Sequence, residues 1–449
     1  MNRRLPTAAA AALLAALVLS SAPAAAAVGV GRAHGFAPDR VVVKLKGESR
    51  ARTVALGEGV SVRGAVAAIS RRPDVAYAVP DYIATASATR SQEALALPND
   101  PGTLGPSASP PGGWVDRQWN FLPWQGTATS LLPLSPGGIN AVGGWENLVA
   151  EGRPGAVGIT VAVLDTGIAY RSKPPRFRRS PDFGRGQFVA GHDFVGKDRV
   201  PLDQNGHGTH VAGTIAEKTG NGIGLVGLAY RAKLMPVRVL DRRGRGRADQ
   251  IAKGIRFAVA RGADVINMSF NFGCGREIPE VEEALRSAYR HGVVAVASVG
   301  NLGSEACVAP PATVAHVIGV GGTTEGGCLG EYSLSGIAVD VVAPGGGHPA
   351  LGCPSVSADP IFQVTLRRHN TRRFAEPGNY VGTSMAAAHV SGLAAMILAS
   401  GTLGPKARGK ARVDAVTRRL RTTARDLELP ETKQGAGLVD AAAATAPGP

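Results

Sequence analysis

The sequence predicts an α/β protein: a doubly wound, mainly parallel sheet with helices on both faces, preceded by a small α+β segment. Three observations lead there. Six short runs are apolar almost throughout and rich in valine and isoleucine, the pattern of strands buried on both faces. Amphipathic stretches of helical length separate several of them. The chain of 449 residues is 44% hydrophobic and 18% charged, which permits one large core and is unlike a disordered chain.

The elements follow in order along the chain. Arg3 and Arg4, an apolar stretch over 7–19 and small residues over 20–27 with Ala-x-Ala cleavage sites have the form of an export signal, so residues 1–27 are set apart from the fold. Segment 28–90 carries a strand at 41–45, a helix at 62–71 and a second strand at 76–83. Residues 91–113 belong to an exposed linker, because 87–113 is dominated by Ala, Pro, Gly and Ser. The main domain spans 114–449. Its strands are expected at 159–164, 233–240, 264–268, 293–299, 317–320 and 339–342, with helices at 248–260 and 278–291. Residues 413–443 close the chain as a helix, a glycine turn and a short second helix. The apolar stretch 381–400 approaches membrane-spanning length but contains Ser384, His389 and Ser391, and no span is predicted.

The net charge is +15, with arginines crowding 171–199, 231–261 and 367–373. A nucleic-acid binder can have this charge. Here no aromatics interleave with the basic runs, and no helix-turn-helix, zinc-finger or RNA-binding signature accompanies them, so no nucleic-acid partner is expected. The arginines read instead as a solvated basic surface, which could still hold the protein near anionic cell envelopes or favour acidic substrates. Four cysteines, all after the export signal, suggest two disulfides out of three possible pairings. The sequence-local pairs Cys274 with Cys307 and Cys328 with Cys353 are favoured, and zinc is not, since no Cys-x-x-Cys spacing is present.

Three segments carry candidate chemistry. Val161-Ala162-Val163-Leu164-Asp165-Thr166-Gly167 ends a buried strand on an acid, where doubly wound sheets place reactive groups. Asn205-Gly206-His207-Gly208-Thr209-His210 puts a histidine at the start of a helix of small residues. Gly382-Thr383-Ser384-Met385-Ala386 puts a serine at a glycine turn leading into an apolar helix, whose first N–H groups face any anion formed there. Each residue alone reads as a turn, a structural histidine or an N-cap. Asp198 and Asp203 are rival acids, set aside because neither follows a buried strand and both read as solvated loop residues. His210 reads as structural.

Together these segments resemble, in order and in flanking residues, the signature motifs of the subtilisin-like serine proteases, which differ in order from chymotrypsin and the α/β-hydrolases. The resemblance implies a serine endopeptidase with Asp165, His207 and Ser384 as its triad. Val299-Gly300-Asn301 resembles the family's Gly-Asn strand end and implies Asn301 as oxyanion donor. Ser269, Phe270 and Asn271 align with the segment that pairs with the substrate backbone, and Ser298 and Gly300 lie by the specificity pocket. Phe270-Asn271 replaces the usual Leu-Gly, so the pocket wall is expected to be bulkier and more polar. Ala388 stands where the motif has proline, and the helix is expected to continue through it.

The resemblance also bears on partners and cofactors. No cofactor is needed for the chemistry. Structural calcium is suggested by the loop 219–224, although no acid follows Asp165 within 170–175 to complete the family's site. Residues 41–84 resemble a short inhibitory propeptide, which makes the chain a self-processed precursor cleaved between Thr85 and Leu97. The partners expected are protein or peptide substrates and the chain's own propeptide, the state monomeric and the location extracellular. Two other readings compete. A catalytically silent cleft binder is disfavoured because all triad positions are present, and an α/β-hydrolase esterase because its acid and histidine would follow the serine.

Overall fold

The computed structural model of the protein describes residues 36–86, 113–126, 132–303, 307–404 and 407–447. The expected export signal at 1–27 and nearly all of the linker at 87–113 lie outside them. The chain forms two compact units, Met1–Ile83 and Ala84–Pro449.

The first unit is α+β, as expected. Strand β1 (Phe36–Leu45) pairs antiparallel with both β2 (Arg52–Ala55) and β3 (Val75–Ala86), with Val42 opposite Thr53 and Val79. Alternate strand positions share a face, so Val41 and Val43 reach the same core. There they meet Val62 and Ala65, three apart on the helix Val62–Ser70, and Val75 and Ala78 from β3. Ser61 caps this helix, its Oγ accepting the Gly64 N–H at 3.1 Å. The two-sided pairing of β1 was not legible, because β2 is short and mostly exposed.

The second unit is built on strands β4 (Thr160–Asp165), β5 (His192–Asp193), β6 (Lys233–Arg238), β7 (Arg245–Arg247), β8 (Val265–Met268), β9 (Phe270–Asn271), β10 (Val294–Ser298), β11 (Val317–Thr323) and β12 (Val341–Pro344). Seven of them form one sheet in the order β12-β11-β10-β8-β4-β6-β5, and every pairing in it is parallel. Val161, Ala162, Val163 and Leu164 are all fully buried. Successive strand residues point to opposite faces, so the sheet is covered on both sides. The helices Ala248–Ala260 and Pro279–Arg290 pack on each other, and His207–Ala216 packs on Thr383–Ser400. Sequence reasoning found the first two of these helices within two residues, but missed the helix Ala141–Ala150, whose Gly143 and Gly144 weaken any helical signal.

Helix Thr383–Ser400 is buried nearly throughout and has no polar face. Among the described residues it alone is long and apolar enough to cross a membrane, and 94% of it is buried inside the protein. It runs unbroken through the fully buried Ala388. Both expected disulfides are present: Cys274–Cys307 closes a separation of 33 residues and Cys328–Cys353 one of 25, with Cα atoms 5.8 and 6.1 Å apart.

Candidate active site

Asp165 is the last residue of β4, which lies with β8 where the order of strands along the sheet reverses. Carboxyl ends of strands at such a point open the crevice used by open α/β sheets. His207 begins the helix His207–Ala216, and its Nδ1 lies 2.8 Å from Asp165 Oδ1 and 3.0 Å from Oδ2. An ionised carboxylate only accepts, so Nδ1 carries the proton and Nε2 is left as the basic nitrogen. Gly208 permits this approach, because a Cβ there would collide with the Gly167 carbonyl and sit 3.0 Å from Asp165. Both groups are buried, the carboxylate completely. Burial alone lowers the imidazole pKa, but the charge and hydrogen bond of Asp165, with a smaller push from Asp203, reverse the sign and raise it.

Ser384 is the second residue of helix Thr383–Ser400, where N–H groups have no intrahelical carbonyl. Its hydroxyl donates to the Ser269 carbonyl at 3.1 Å, and His207 Nε2 has no hydrogen-bond partner among the described residues. The structure thus brings Asp165 to His207 but holds the serine–histidine bond open. Catalytic sites often close this bond only when substrate arrives.

Asn301 follows β10, and its Oδ1 accepts the Thr383 N–H at 2.9 Å and the Thr383 hydroxyl at 2.7 Å. Its Nδ2 is buried without a partner among the described residues. Buried amides rarely keep a donor unmade without cause. The carbonyl end is therefore fixed to the residue preceding Ser384 while the donor end stays free for an acceptor. Gly300 is required here, since its φ is +116° and a Cβ would lie 2.6 Å from Leu334 Cδ1.

Several polar residues at the site escaped sequence reasoning, and one was misjudged. Asp203 is not a solvated loop residue: it is 1% exposed and accepts five hydrogen bonds. The donors are the Thr166 hydroxyl, the Asn205 and Gly206 N–H groups, and both the N–H and hydroxyl of Thr209, at 2.6–3.0 Å. It therefore ties the turn after Asp165 to the start of the His207 helix. Its burial raises its pKa against the pull of these donors. An acid four residues before a helix start is the signal that could have marked it. Asp198, by contrast, is exposed as expected, and its Oδ1 accepts the Val200 N–H. His210 donates through Nε2 to the Ile361 carbonyl at 2.9 Å and stacks on Tyr380 at 4.0 Å; burial holds its pKa down to about 3, so it stays neutral.

The segment expected to pair with substrate backbone is β9, and it does pair with a strand. Thr85 and Ala86, which belong to the second unit, run antiparallel to it opposite Asn271 and Phe270. The Ser269 hydroxyl donates to the Ser384 carbonyl at 2.8 Å and accepts from Asn267, which in turn accepts from Ser391. Phe270 is fully buried and meets Phe272 edge-on at 6.3 Å. Ser298 ends β10 with its hydroxyl buried and without a partner among the described residues.

A buried acid further along the chain, Asp182, meets the loop suggested for calcium. Its carboxylate accepts from Asn221 Nδ2 at 2.6 Å and from the Leu225 N–H at 2.8 Å, which joins it to the loop of Asn221. Burial, followed by smaller effects including the nearby Glu376, pushes its pKa up to about 8. Glu217, also fully buried, is raised by burial and by Asp182, against a smaller downward pull from the Val364 backbone N–H. This surplus of buried carboxylate fits a cation on charge. Among the described residues no three acidic, histidine or cysteine side chains converge as a ligand set, so a cation would need backbone carbonyls as well.

With this geometry in view, comparison with known proteins is direct. A model of the subtilase family matches residues 156–437, a span that holds Asp165, His207, Asn301 and Ser384.

The chain belongs to the subtilase family.

This subtilase is 33% identical over 341 residues to a thermophilic serine proteinase of Bacillus sp. (strain AK1), covering 76% of this chain and 67% of that one. It is 34% identical over 274 residues to thermitase of Thermoactinomyces vulgaris, covering 61% and 84%. Among solved structures it resembles a protease from Pseudoalteromonas arctica PAMC 21717, with 29% identity and a TM-score of 0.59 over 76% of this chain and 99% of that one. The doubly wound α/β fold read from the sequence is the subtilase fold.

The role of Asp203 gives a test. Asp203→Asn keeps the shape but turns donors toward N–H donors, so the His207 helix start shifts. Misplacement on the ångström scale costs up to about 100-fold, and kcat/KM of the subtilase should fall by about tenfold or more. Loss of the Asp203 charge also removes one upward push on His207, so the acid limb of the pH–kcat/KM profile should move to lower pH. An unchanged limb with reduced activity would assign Asp203 to stability alone.

Proposed function

We propose that this subtilase is a secreted, monomeric serine endopeptidase, made as a precursor that processes itself, with Asp165, His207 and Ser384 as its catalytic triad. Serine endopeptidase activity is the family's. The observation that carries the residue assignment is the pair of complementary vacancies: a basic Nε2 on an Asp165-held imidazole and an unpartnered Asn301 amide pinned beside Ser384.

The chemistry follows. Ser384 leaves Ser269 and gives its proton to His207 Nε2 as its Oγ bonds to the scissile carbonyl carbon. The carbonyl oxygen gains the negative charge and is met by Asn301 Nδ2 and the Ser384 N–H, donors already oriented before reaction. Asp165 holds the imidazole in its tautomer and stabilises the imidazolium, for which its raised pKa is the equilibrium signature. Nε2–H then passes to the leaving nitrogen, the C–N bond breaks, and an ester remains on Ser384. Water repeats the sequence with His207 as base, releasing the acid and restoring the hydroxyl. β9 holds the substrate backbone by strand addition.

Thr85 and Ala86 occupy β9 in that manner, which supports reading the preceding unit as an inhibitory propeptide and the chain just beyond as its processing region. The 1–27 segment supports export. A calcium ion held by Asp182 and carbonyls of the Asn221 loop would neutralise buried charge and has no part in bond cleavage. A silent cleft binder has no specific observation in its favour.

Two tests follow. Ser384→Ala, expressed in a protease-free host, should accumulate as the signal-cleaved form that still carries residues 28–90, while wild type matures; equal maturation of both contradicts self-processing. The same inactive variant reports the cation without autolysis. Asp182 is raised to about 8, so the fold binds its proton more tightly than the unfolded chain; without cation, stability should decline as pH rises from about 4 to about 8. Millimolar calcium should raise Tm, more at alkaline pH than at acid pH, and Asp182→Asn should abolish the gain. A Tm indifferent to calcium at every pH contradicts the ion.

A further inference from the structure

Beside His207 the second unit carries a cavity of about 770 Å³ lined by Arg176, Arg242, Arg243, Arg372, His369 and Gln204, with Pro175, Phe177 and Thr371 completing its wall. No acidic side chain lines it. All four arginines are exposed, and none makes an ion pair or a side-chain hydrogen bond among the described residues. This sets them apart from Arg238, Arg412 and Arg421, each of which is paired with an aspartate in the same unit. Like charges gathered without partners repel, and an anion relieves that cost.

The cavity is tied to the catalytic histidine through Asn205. Its Oδ1 accepts the His207 N–H at 3.2 Å, its Nδ2 donates to the Arg242 carbonyl at 3.0 Å, and its own carbonyl is the acceptor for His369 Nδ1. The wall therefore begins three residues from the imidazole, at Gln204, and Arg242 and Arg243 lead directly into β7. On the far side the turn between Thr365–Leu366 and Phe374–Ala375 holds Arg368 and His369 at φ of 49° and 59°. Two successive non-glycine residues in the left-handed region are uncommon, and such strain gathers at functional sites.

We propose that this cavity is a subsite for acidic side chains of the polypeptide substrate, within about three residues of the scissile bond at the extended rise per residue. The proposal rests on the endopeptidase reading and deepens it by naming a substrate class. Because Asn205 joins the wall to the His207 N–H, a peptide chain bound at His207 would run within reach of the cavity, and a carboxylate on it would meet guanidinium groups whose planar donors suit it. Attraction of this kind at exposed charges acts mainly on encounter and is screened by salt.

The test uses mature wild type and quenched peptides that differ only in carrying Glu, Gln or Lys at each position from three before to three after the scissile bond. At one of these positions wild type should favour Glu over Lys in kcat/KM by about tenfold at low salt, with the preference shrinking as ionic strength rises. Charge reversal by Arg242→Glu with Arg243→Glu should remove or invert the preference, lowering kcat/KM more on the Glu peptides than on the Gln peptides. If that pair fails to fold, Arg372→Gln, on the other wall, should reduce it. Equal rates for Glu and Lys in wild type would overturn the subsite, as would a preference that survives charge reversal. So would binding of polyphosphate to wild type without any peptide preference. Cleavage of none of the peptides would instead strike at the endopeptidase reading itself.

Discussion

The site depends on a carboxylate sealed from water. Asp165 ends a strand that is fully buried from Val161 onward, and only hydrogen bonds make a charge there tolerable. His207 supplies one and the Thr166 N–H another, at 2.7 Å. The backbone around Asp165 is fixed in turn, since its carbonyl accepts the Val239 and Leu240 N–H groups at the end of β6. Two adjacent parallel strands, the turn after one of them and the start of a helix are thereby locked to one residue, through its carboxylate and its backbone carbonyl. Hydrogen bonds to charged groups contribute about 1.5–3 kcal/mol each, and removing one partner from such a set costs more than the bond.

Asp203 extends the same arrangement outward. It binds Thr166 and Thr209, and Thr209 in turn receives the Ala169 N–H at 3.0 Å, so the loop after β4 and the first turn of the histidine helix move as one body. The serine side is organised separately, by Asn301 on Thr383 and by Ser269 on Ser384. On the proposed mechanism the Ser384 hydroxyl must leave the Ser269 carbonyl for the unpartnered Nε2 of His207. That division leaves the free form with a parked nucleophile and substrate to complete the set.

Much of this was legible in the sequence, for identifiable reasons. The strands β4, β8 and β10 are uninterrupted apolar runs, so their ends were found within a residue or two, and with them Asp165 and Asn301. His207 and Ser384 stand at helix starts among small neighbours, which alone reads as structural, and only the resemblance of the three segments together to the family's motifs marked them as candidates. The two- and three-residue strands β5 and β7 carry no periodicity and could not be read as strands, and β9 was marked as a pairing segment only by the resemblance. Asp203 looked solvated because its burial is decided by Thr166, far away in sequence, and by the helix packed over it. Asp182 gave no sequence signal, because the arginine-rich stretch before it reads as surface and its burial is set by the Asn221 loop, 39 residues further on. Whether a polar residue is buried is a tertiary fact, and those misjudged here were polar.

The most direct measurement is active-site titration of the mature protein with a fluorophosphonate, followed by peptide mapping. One equivalent should bond to Ser384 Oγ, with labelling rising through the titration of His207 and abolished by His207→Ala. No label, or a label on another serine such as Ser269, would contradict the account.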